Sequence, residues 1–446
     1  MYDIAIIGSG PAGYVAGIRG SQLGKKVCVI EKGDIGGICL NRGCIPTKSV
    51  LASIDSLRNI ATANRFGINV GTPEIDFSKV MSRKKSVVKK LTSGVSYLLK
   101  QNGVDVLKGD ASIKETGVIK IGVQEVKAKS ILICTGSSPL VPFTIDHDKV
   151  LNSDEALDMG SLPSSILIIG GGAVGIEMAT IFCGLGVKVT LVEMMTSILP
   201  EIKDNKIIDI IRSSLISKGV SIIEGSKVSE IEISKDSVIT YLSNGDKITT
   251  DKVIVACGRT PNAAEFGEVG LKIEDKKIVV NDKMQTTIPD IYAAGDVVGP
   301  PLLAHKASAE AIVAIENACG KLESLMDYSA VPYCIFSHPE IAWVGKFESE
   351  IPEAKIGEYR FQGVGKSLCI EETTGFVKVV ADKDGKIKGM QIVGHNAADL
   401  ILIGIIGVKK GMSVEELGHL IFPHPTLSEC LKEALSDVTH TAIHKV

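Results

Sequence analysis

One local pattern occurs twice in this 446-residue chain, and it dictates most of what the chain can fold into. The apolar run Asp3 to Ile7 leads into Gly8-Ser9-Gly10-Pro11-Ala12-Gly13. A helical pattern continues to Leu23, and a second apolar run, Val27 to Ile30, ends at Glu31. Ile166 to Ile169, the turn Gly170-Gly171-Gly172-Ala173-Val174-Gly175, a helix, and Val187 to Val192 ending at Glu193 repeat it. Strand, glycine turn, helix and strand make a Rossmann-like dinucleotide-binding unit. Its first glycine (Gly8, Gly170) forms the tight turn, its second (Gly10, Gly172) lets backbone approach a pyrophosphate, and its third (Gly13, Gly175) lets helix pack on strand. The helix N-terminus adds free N–H groups and partial positive charge for phosphates. A single such turn is a weak signal, but here each acid stands 23 positions after the first glycine of its turn. An acid in that place accepts hydrogen bonds from an adenosine ribose and repels the 2′-phosphate of NADP, so NAD is expected at the second site.

A chain of this length exceeds one hydrophobic core and predicts about three domains. Apolar residues at 45% and 46 glycines fit a globular, turn-rich α/β protein. A net charge of −3 argues against nucleic-acid or anionic-membrane binding. The uncharged runs Ile166 to Ile176 and Leu400 to Val408 are too short and glycine-broken to cross a bilayer. The opening MYDIAIIGSG lacks the pattern of an export signal, so a cytoplasmic protein is expected. Ten scattered cysteines form no dense disulfide framework. Cys28, Cys134, Cys183 and Cys257 read as small buried apolar residues.

Cys39 and Cys44 stand apart, in Gly36-Gly37-Ile38-Cys39-Leu40-Asn41-Arg42-Gly43-Cys44-Ile45-Pro46-Thr47-Lys48. Pro46 is suited to a helix's first turn, and Val50, Leu51, Ile54, Leu57 and Ala61 give that helix one buried face. Cys44 then sits at the positive end, where a thiolate is stabilised, with Lys48 one turn on. In a regular helix the two cysteines would point about 140° apart, so bridging them requires irregular backbone near Gly43. The pair reads as a redox disulfide. Zinc would want two more ligands close by, and none is present, so no metal is expected; two unrelated buried cysteines remain the bland alternative.

The segment GGICLNRGCIPTK resembles the active-site segment of the class I pyridine nucleotide-disulfide oxidoreductases. The likeness extends along the chain through ICTGS (133–137), ACGRTPN (256–262), YAAGDVV (292–298), LLAHKA (302–307) and VPYCIFSHPEIAWVG (331–345). It implies an α/β fold with FAD- and NAD-binding Rossmann-like domains and an α+β C-terminal dimerisation domain. Expected boundaries are 1–145 with 263–328 for FAD, 146–262 for NAD and 329–446 for dimerisation. The first turn and Glu31 would hold FAD together with Gly37, Cys39, Lys48, Thr135, Gly136, Asp296, Ala304 and His305. Lys48 would pair with Glu177 near the flavin. The second turn, Glu193, Val228 and Gly258 would hold NAD.

Near the end, prolines flank His424 in Phe422-Pro423-His424-Pro425-Thr426-Leu427-Ser428-Glu429 and restrict its backbone. A lone histidine is more often structural, but this one matches the family's His-Pro-Thr-Leu-Ser-Glu segment. Read that way, His424 is the base and Glu429 orients it. The resemblance further implies a homodimer in which each histidine serves the other subunit. It also implies oxidation of dihydrolipoyl groups carried by proteins of 2-oxoacid dehydrogenase or glycine cleavage complexes. A mercuric reductase would be expected to end in another cysteine pair, a glutathione-type reductase would use NADPH, and a flavin transhydrogenase would not need both cysteines. A non-catalytic flavoprotein subunit or redox sensor would not need Cys39, Cys44, His424 and Glu429 together. Ile38, Arg42, Pro423, Cys134 and Cys257 depart from the family's usual residues.

Overall fold

Alternating strands and helices build two compact units in the computed structural model of the chain, which describes residues 1–143, 148–320 and 323–445. One unit comprises Met1–Asp146, Leu151–Leu162 and Cys257–Asp327; the other comprises His147–Val150, Pro163–Ala256 and Tyr328–Val446.

In the first unit the strand Tyr2–Ile7 lies between Val27–Glu31 and Gln124–Ile133, parallel to both. Asp105–Lys108 continues the sheet beyond Val27–Glu31, and Ile291–Ala293 pairs with Gln124–Ile133, again in parallel. Sheets covered on both faces have strands that are apolar throughout rather than alternating. Ile4, Ile6, Val27 and Val29 accordingly pack with Ala12, Ala16, Ala307 and Ile315 of the helices Pro11–Gln22 and Ala304–Ala318. Ala5, Ile7, Cys28 and Ile30 pack on the other face with Ile113, Ile119, Phe266 and Leu271.

The helix expected after the cysteines is Cys44–Thr62, which starts two residues before Pro46 and leaves that proline in the first turn. Its apolar face is only partly used. Val50 and Leu51 are buried, Ile54 and Leu57 are half-buried, and Ala61 is exposed. Arg83 of the long helix Phe77–Gln101 clasps it near its start, donating from Nη1 to Ser49 O at 2.8 Å.

The second unit repeats the parallel order: Ser165–Ile169 lies between Lys188–Val192 and Lys252–Val255, with Ser221–Ile223 outermost. A three-stranded antiparallel meander, Val228–Ile233, Val238–Leu242 and Lys247–Thr250, follows. The C-terminal region forms an antiparallel sheet in the order Tyr333–Ile335, Glu340–Gly345, Ile387–Gly394, Phe376–Ala381, Lys355–Arg360. The helix Glu429–Asp437 lies on it through Leu431, Ala434 and Leu435 against Val377 and Val379. The chain is therefore α/β, with two Rossmann-like folds and an α+β C-terminal region. Among the described residues no helix is long and apolar enough to cross a membrane.

Candidate active site

The two glycine turns are built alike. Gly8 and Gly170 hold φ of +101° and +108°, the left-handed region that favours glycine. A Cβ on Gly13 or Gly175 would lie 1.9 Å from the carbonyl oxygen of Gly8 or Gly170, so helix and turn touch backbone to backbone. At Gly172 an added Cβ would meet nothing within 4 Å, and at Gly10 only Gly37 Cα at 3.9 Å. Those second glycines border open space at the N-termini of Pro11–Gln22 and Ala173–Gly184, neither of which has a side-chain cap or an acid in its first turn.

Each strand-end acid reaches back to its own turn. Glu31 Oε2 accepts from Ser9 N at 2.8 Å and Ser9 Oγ at 2.6 Å, while its Oε1 accepts from Gly33 N at 2.6 Å. Glu193 Oε2 accepts from Gly171 N at 2.6 Å and its Oε1 from Met195 N at 2.7 Å. Ser226 N donates to Glu193 O at 3.1 Å, which brings the strand beginning at Val228 beside the second turn. Gly258, the remaining residue expected at the NAD site, belongs to the first unit, where its carbonyl accepts from Leu140 N. A cavity of about 580 Å³ opens beside Glu31, lined among others by Asn41, Arg42 and Lys84.

Two stretches more than a hundred positions further along the chain meet the segment after Ile133 at the C-terminal ends of the first sheet. Thr135 Oγ1 donates to Asn262 O at 2.9 Å, and Gly136 O accepts from Asn262 N at 2.9 Å. Arg259 donates to Ser137 Oγ from Nε at 2.9 Å and to Asp154 Oδ1 from Nη1 at 3.0 Å; Ser137 Oγ in turn donates to Asp296 Oδ2 at 2.6 Å. Ala304 and His305 open the helix Ala304–Ala318, whose Ala307 approaches the Gly295 backbone beside Asp296. The polar relay Arg259–Ser137–Asp296 was not foreseen from sequence, although all three residues lie within the quoted motifs.

The paired cysteines occupy a break between two helices. Gly37–Asn41 ends as Arg42 N and Gly43 N both donate to Ile38 O at 2.8 Å, and Cys44–Thr62 begins immediately after Gly43. This is the irregular backbone that bridging requires. A Cβ on Gly37 would lie 2.6 Å from Gly10 Cα, so the cysteine segment rests directly on the first turn. Cys39 is hydrogen-bonded through its side chain to Cys44. That bond, then burial and the proximity of Cys44, push the Cys39 thiol far up, while Lys48 pulls it down. The Cys39 thiol is thus held against ionisation by its partner and by burial. Cys44 is left at the first helical position, where the helix field favours an anion.

In the second unit Glu177 is buried in the helix Ala173–Gly184, and its Oε1 accepts from Phe336 N at 3.0 Å. His424 is exposed, with Nδ1 and Glu429 Oε1 2.8 Å apart. Glu429 Oε2 accepts from Thr426 N at 3.0 Å. The bond to His424, followed by that to Thr426 N, lowers the Glu429 carboxyl below its ordinary value.

Two nucleotide-binding folds with a dithiol at the first turn define a redox enzyme that uses two nucleotides. Residues 2–311 match the model of the pyridine nucleotide-disulphide oxidoreductases, and residues 331–435 match that family's dimerisation domain. The chain belongs to this family. It is 39% identical to a dihydrolipoyl dehydrogenase of Geobacillus stearothermophilus, covering 99% of this chain and 97% of the relative. It is 40% identical to one from Thermus scotoductus, covering 99% and 98%. Among solved structures it is similar to LpdA from Mycobacterium tuberculosis, with a TM-score of 0.91 and 26% identity over 97% of this chain and 98% of that one. It is also similar to the HOCl-induced flavoprotein disulfide reductase RclA from Escherichia coli, with a TM-score of 0.88 and 26% identity over 98% and 99%.

The enzyme's cofactors are FAD and NAD, and the turns fit them. Open space where Gly10 and Gly172 lack a Cβ, uncapped helix N-termini and a carboxylate at the end of the second strand beside each turn are what two pyrophosphate-linked nucleotides require.

Proposed function

We propose that this chain is a cytoplasmic, homodimeric dihydrolipoyl dehydrogenase that oxidises dihydrolipoyl groups on partner proteins of 2-oxoacid dehydrogenase or glycine cleavage complexes and reduces NAD+. The observation that carries the reading is the hydrogen-bonded Cys39–Cys44 pair seated on the first glycine turn. Whole-length similarity to dihydrolipoyl dehydrogenases supports the choice of substrate. Free buried cysteines such as Cys28, Cys134 and Cys430 suit a reducing compartment.

The FAD domain is assigned to 1–145 with 263–328, the NAD domain to 146–262 and the dimerisation domain to 329–446. FAD is held by Gly8, Gly10, Gly13, Glu31, Gly37, Cys39, Lys48, Thr135, Gly136, Asp296, Ala304 and His305. NAD is held by Gly170, Gly172, Gly175, Glu193, Val228 and Gly258. Lys48 and Glu177 are assigned as partners beside the flavin.

With its Nδ1 committed to Glu429, His424 takes a proton at Nε2 from one dihydrolipoyl thiol. The resulting thiolate attacks Cys39 Sγ of the oxidised pair, the Cys39–Cys44 bond breaks, and Cys44 leaves as a thiolate. The second substrate sulfur displaces Cys39, closing the lipoyl ring. Cys39 leaves as a thiol by taking the proton of that second substrate thiol, in line with its raised thiol, and Lys48 supplies positive charge near the pair. FAD, held by the first turn and Glu31, would supply the two-electron chemistry that links the dithiol to NAD+. His424 is assigned to the neighbouring subunit's Cys39–Cys44 centre, so two complete sites form per dimer.

Anaerobic mixing of the holoenzyme with dihydrolipoamide and NAD+ tests the reading. One NADH per dithiol oxidised, with two protein thiols exposed on reduction, is expected. Absence of NADH formation with an intact flavin defeats it. A hybrid dimer of Cys44→Ser and His424→Gln chains tests the sharing: one working centre per hybrid supports it, and none refutes it.

A further inference from the structure

Beneath the loop that carries Asp296 lies an ion pair with no place in the chemistry above. Lys306 Nζ and Glu310 Oε1 are 3.1 Å apart, one turn apart on the helix Ala304–Ala318, and each side chain is 1% exposed. Glu310 Oε2 accepts from Gly295 N at 2.8 Å. Lys306 Nζ donates to Gly299 O at 2.9 Å and to Gly295 O at 3.5 Å. Gly295 and Gly299 hold φ of +87° and +96°, so the loop turns sharply at both ends, and one ion pair fastens both turns. Between them stands Asp296, whose carboxylate is fixed from the other side by Ser137 and, behind it, Arg259.

Burying two charges costs solvation that their attraction barely repays, and an apolar pair of equal volume would pack the helix on the sheet as well or better. An apolar pair could not accept the Gly295 N–H or donate to the two carbonyls, and a helix face alone would leave those groups unmatched in the interior. What this pair uniquely provides is the position of the loop. Its field also reaches the neighbouring strand end: burial first, then the Glu310 charge, push the Cys134 thiol up beside the first glycine turn.

We propose that Lys306 and Glu310 are positioning residues for the flavin: by fixing both ends of the Gly295–Gly299 loop they set where the Asp296 carboxylate stands, and thereby the affinity and potential of bound FAD. The inference rests on the assignment of Asp296 to the FAD site.

The test is a double-mutant cycle on the holoenzyme, measuring FAD dissociation constant and flavin midpoint potential. Lys306→Met and Glu310→Gln are each made alone and in an Asp296→Asn background. Each single variant is expected to weaken FAD binding about tenfold and to move the two-electron potential by about 30 mV, its tenfold equivalent. In the Asp296→Asn background each change should shrink to less than about twofold, because the path runs through Asp296. Equal losses in both backgrounds, or an unmoved potential, overturn the proposal, since a purely structural pair would behave that way. If a single variant does not fold, the double Lys306→Met with Glu310→Leu removes the clamp without leaving a lone buried charge, and the same criteria apply. Should the wild-type holoenzyme bind FAD but fail to oxidise dihydrolipoamide, the functional reading falls while the clamp is still measurable. Should it turn over normally while the cycle is additive, only the clamp falls.

Discussion

His424 Nδ1 lies 2.8 Å from Glu429 Oε1, and the second oxygen of that carboxylate accepts the Thr426 N–H at 3.0 Å. The carboxylate thus faces the imidazole with one oxygen and is held in place by the other, which leaves Nε2 as the free ring position. Glu429→Gln keeps the shape and removes the charge. We expect kcat/KM for dihydrolipoamide to fall about 10- to 100-fold, against about 10²- to 10⁴-fold for His424→Gln, measured by NADH formation. Reduction of the flavin by NADH, which needs no thiol deprotonation, should be unchanged in both, and an equal loss there would remove His424 from the base role.

The same dyad gives an acid-side prediction. Glu429 is lowered in the folded protein, by its bond to His424 first and Thr426 N second. A depressed carboxyl contributes stability that is complete above the unfolded value, near pH 4.3, and is lost as pH falls through the lower folded value. The Tm difference between wild type and Glu429→Gln should therefore be constant near neutrality and shrink below about pH 4. A difference that grows on acidification would contradict the assignment.

How much of this was legible in the chain depends on range. The turns at Gly8 and Gly170 and their acids could be placed because strand, turn, helix and strand are specified by neighbours within thirty positions. The break at Gly43 followed from the helical angle between Cys39 and Cys44. Burial along Cys44–Thr62 was overestimated at Ala61, because periodicity names a face but not how far its partner extends. The Arg259–Ser137–Asp296 relay and the Lys306–Glu310 clamp were invisible for a different reason. The relay's partners lie on segments brought together only by the sheet; those of the clamp are local, but a polar residue within an apolar stretch carries no mark of what it will bond. Glu177 is buried and bonded to Phe336 N, 159 positions away, a contact that nothing local in the chain announces.

Lys48 and Cys44 act on the Cys39 thiol in opposite directions, so removing each should move it oppositely. In Cys44→Ala the hydrogen bond and the neighbouring sulfur are gone, and the Cys39 thiolate should form at lower pH than in the wild-type dithiol, followed by ultraviolet thiolate absorbance. In Lys48→Gln the attraction is lost and the reduced centre is less stable. Its disulfide potential should become more negative by about 30 mV, a tenfold change in the equilibrium with NAD. A shift to more positive potential would show that the Lys48 charge does not serve the dithiol.

The second and third glycines of the NAD turn separate binding from folding. An alanine at 172 meets no protein atom within 4 Å, whereas one at 175 would sit 1.9 Å from Gly170 O. Gly172→Ala should leave Tm within about 1 °C and raise the NAD dissociation constant at least about tenfold, because its methyl occupies the space assigned to the pyrophosphate. Gly175→Ala should instead destabilise by about 1–3 kcal/mol, since helix and strand must part to admit the methyl. Calorimetry and equilibrium dialysis on the two variants read these effects independently. If Gly172→Ala binds NAD as tightly as wild type, the second turn is not where the pyrophosphate lies, and the repetition that organises this chain has lost its second ligand.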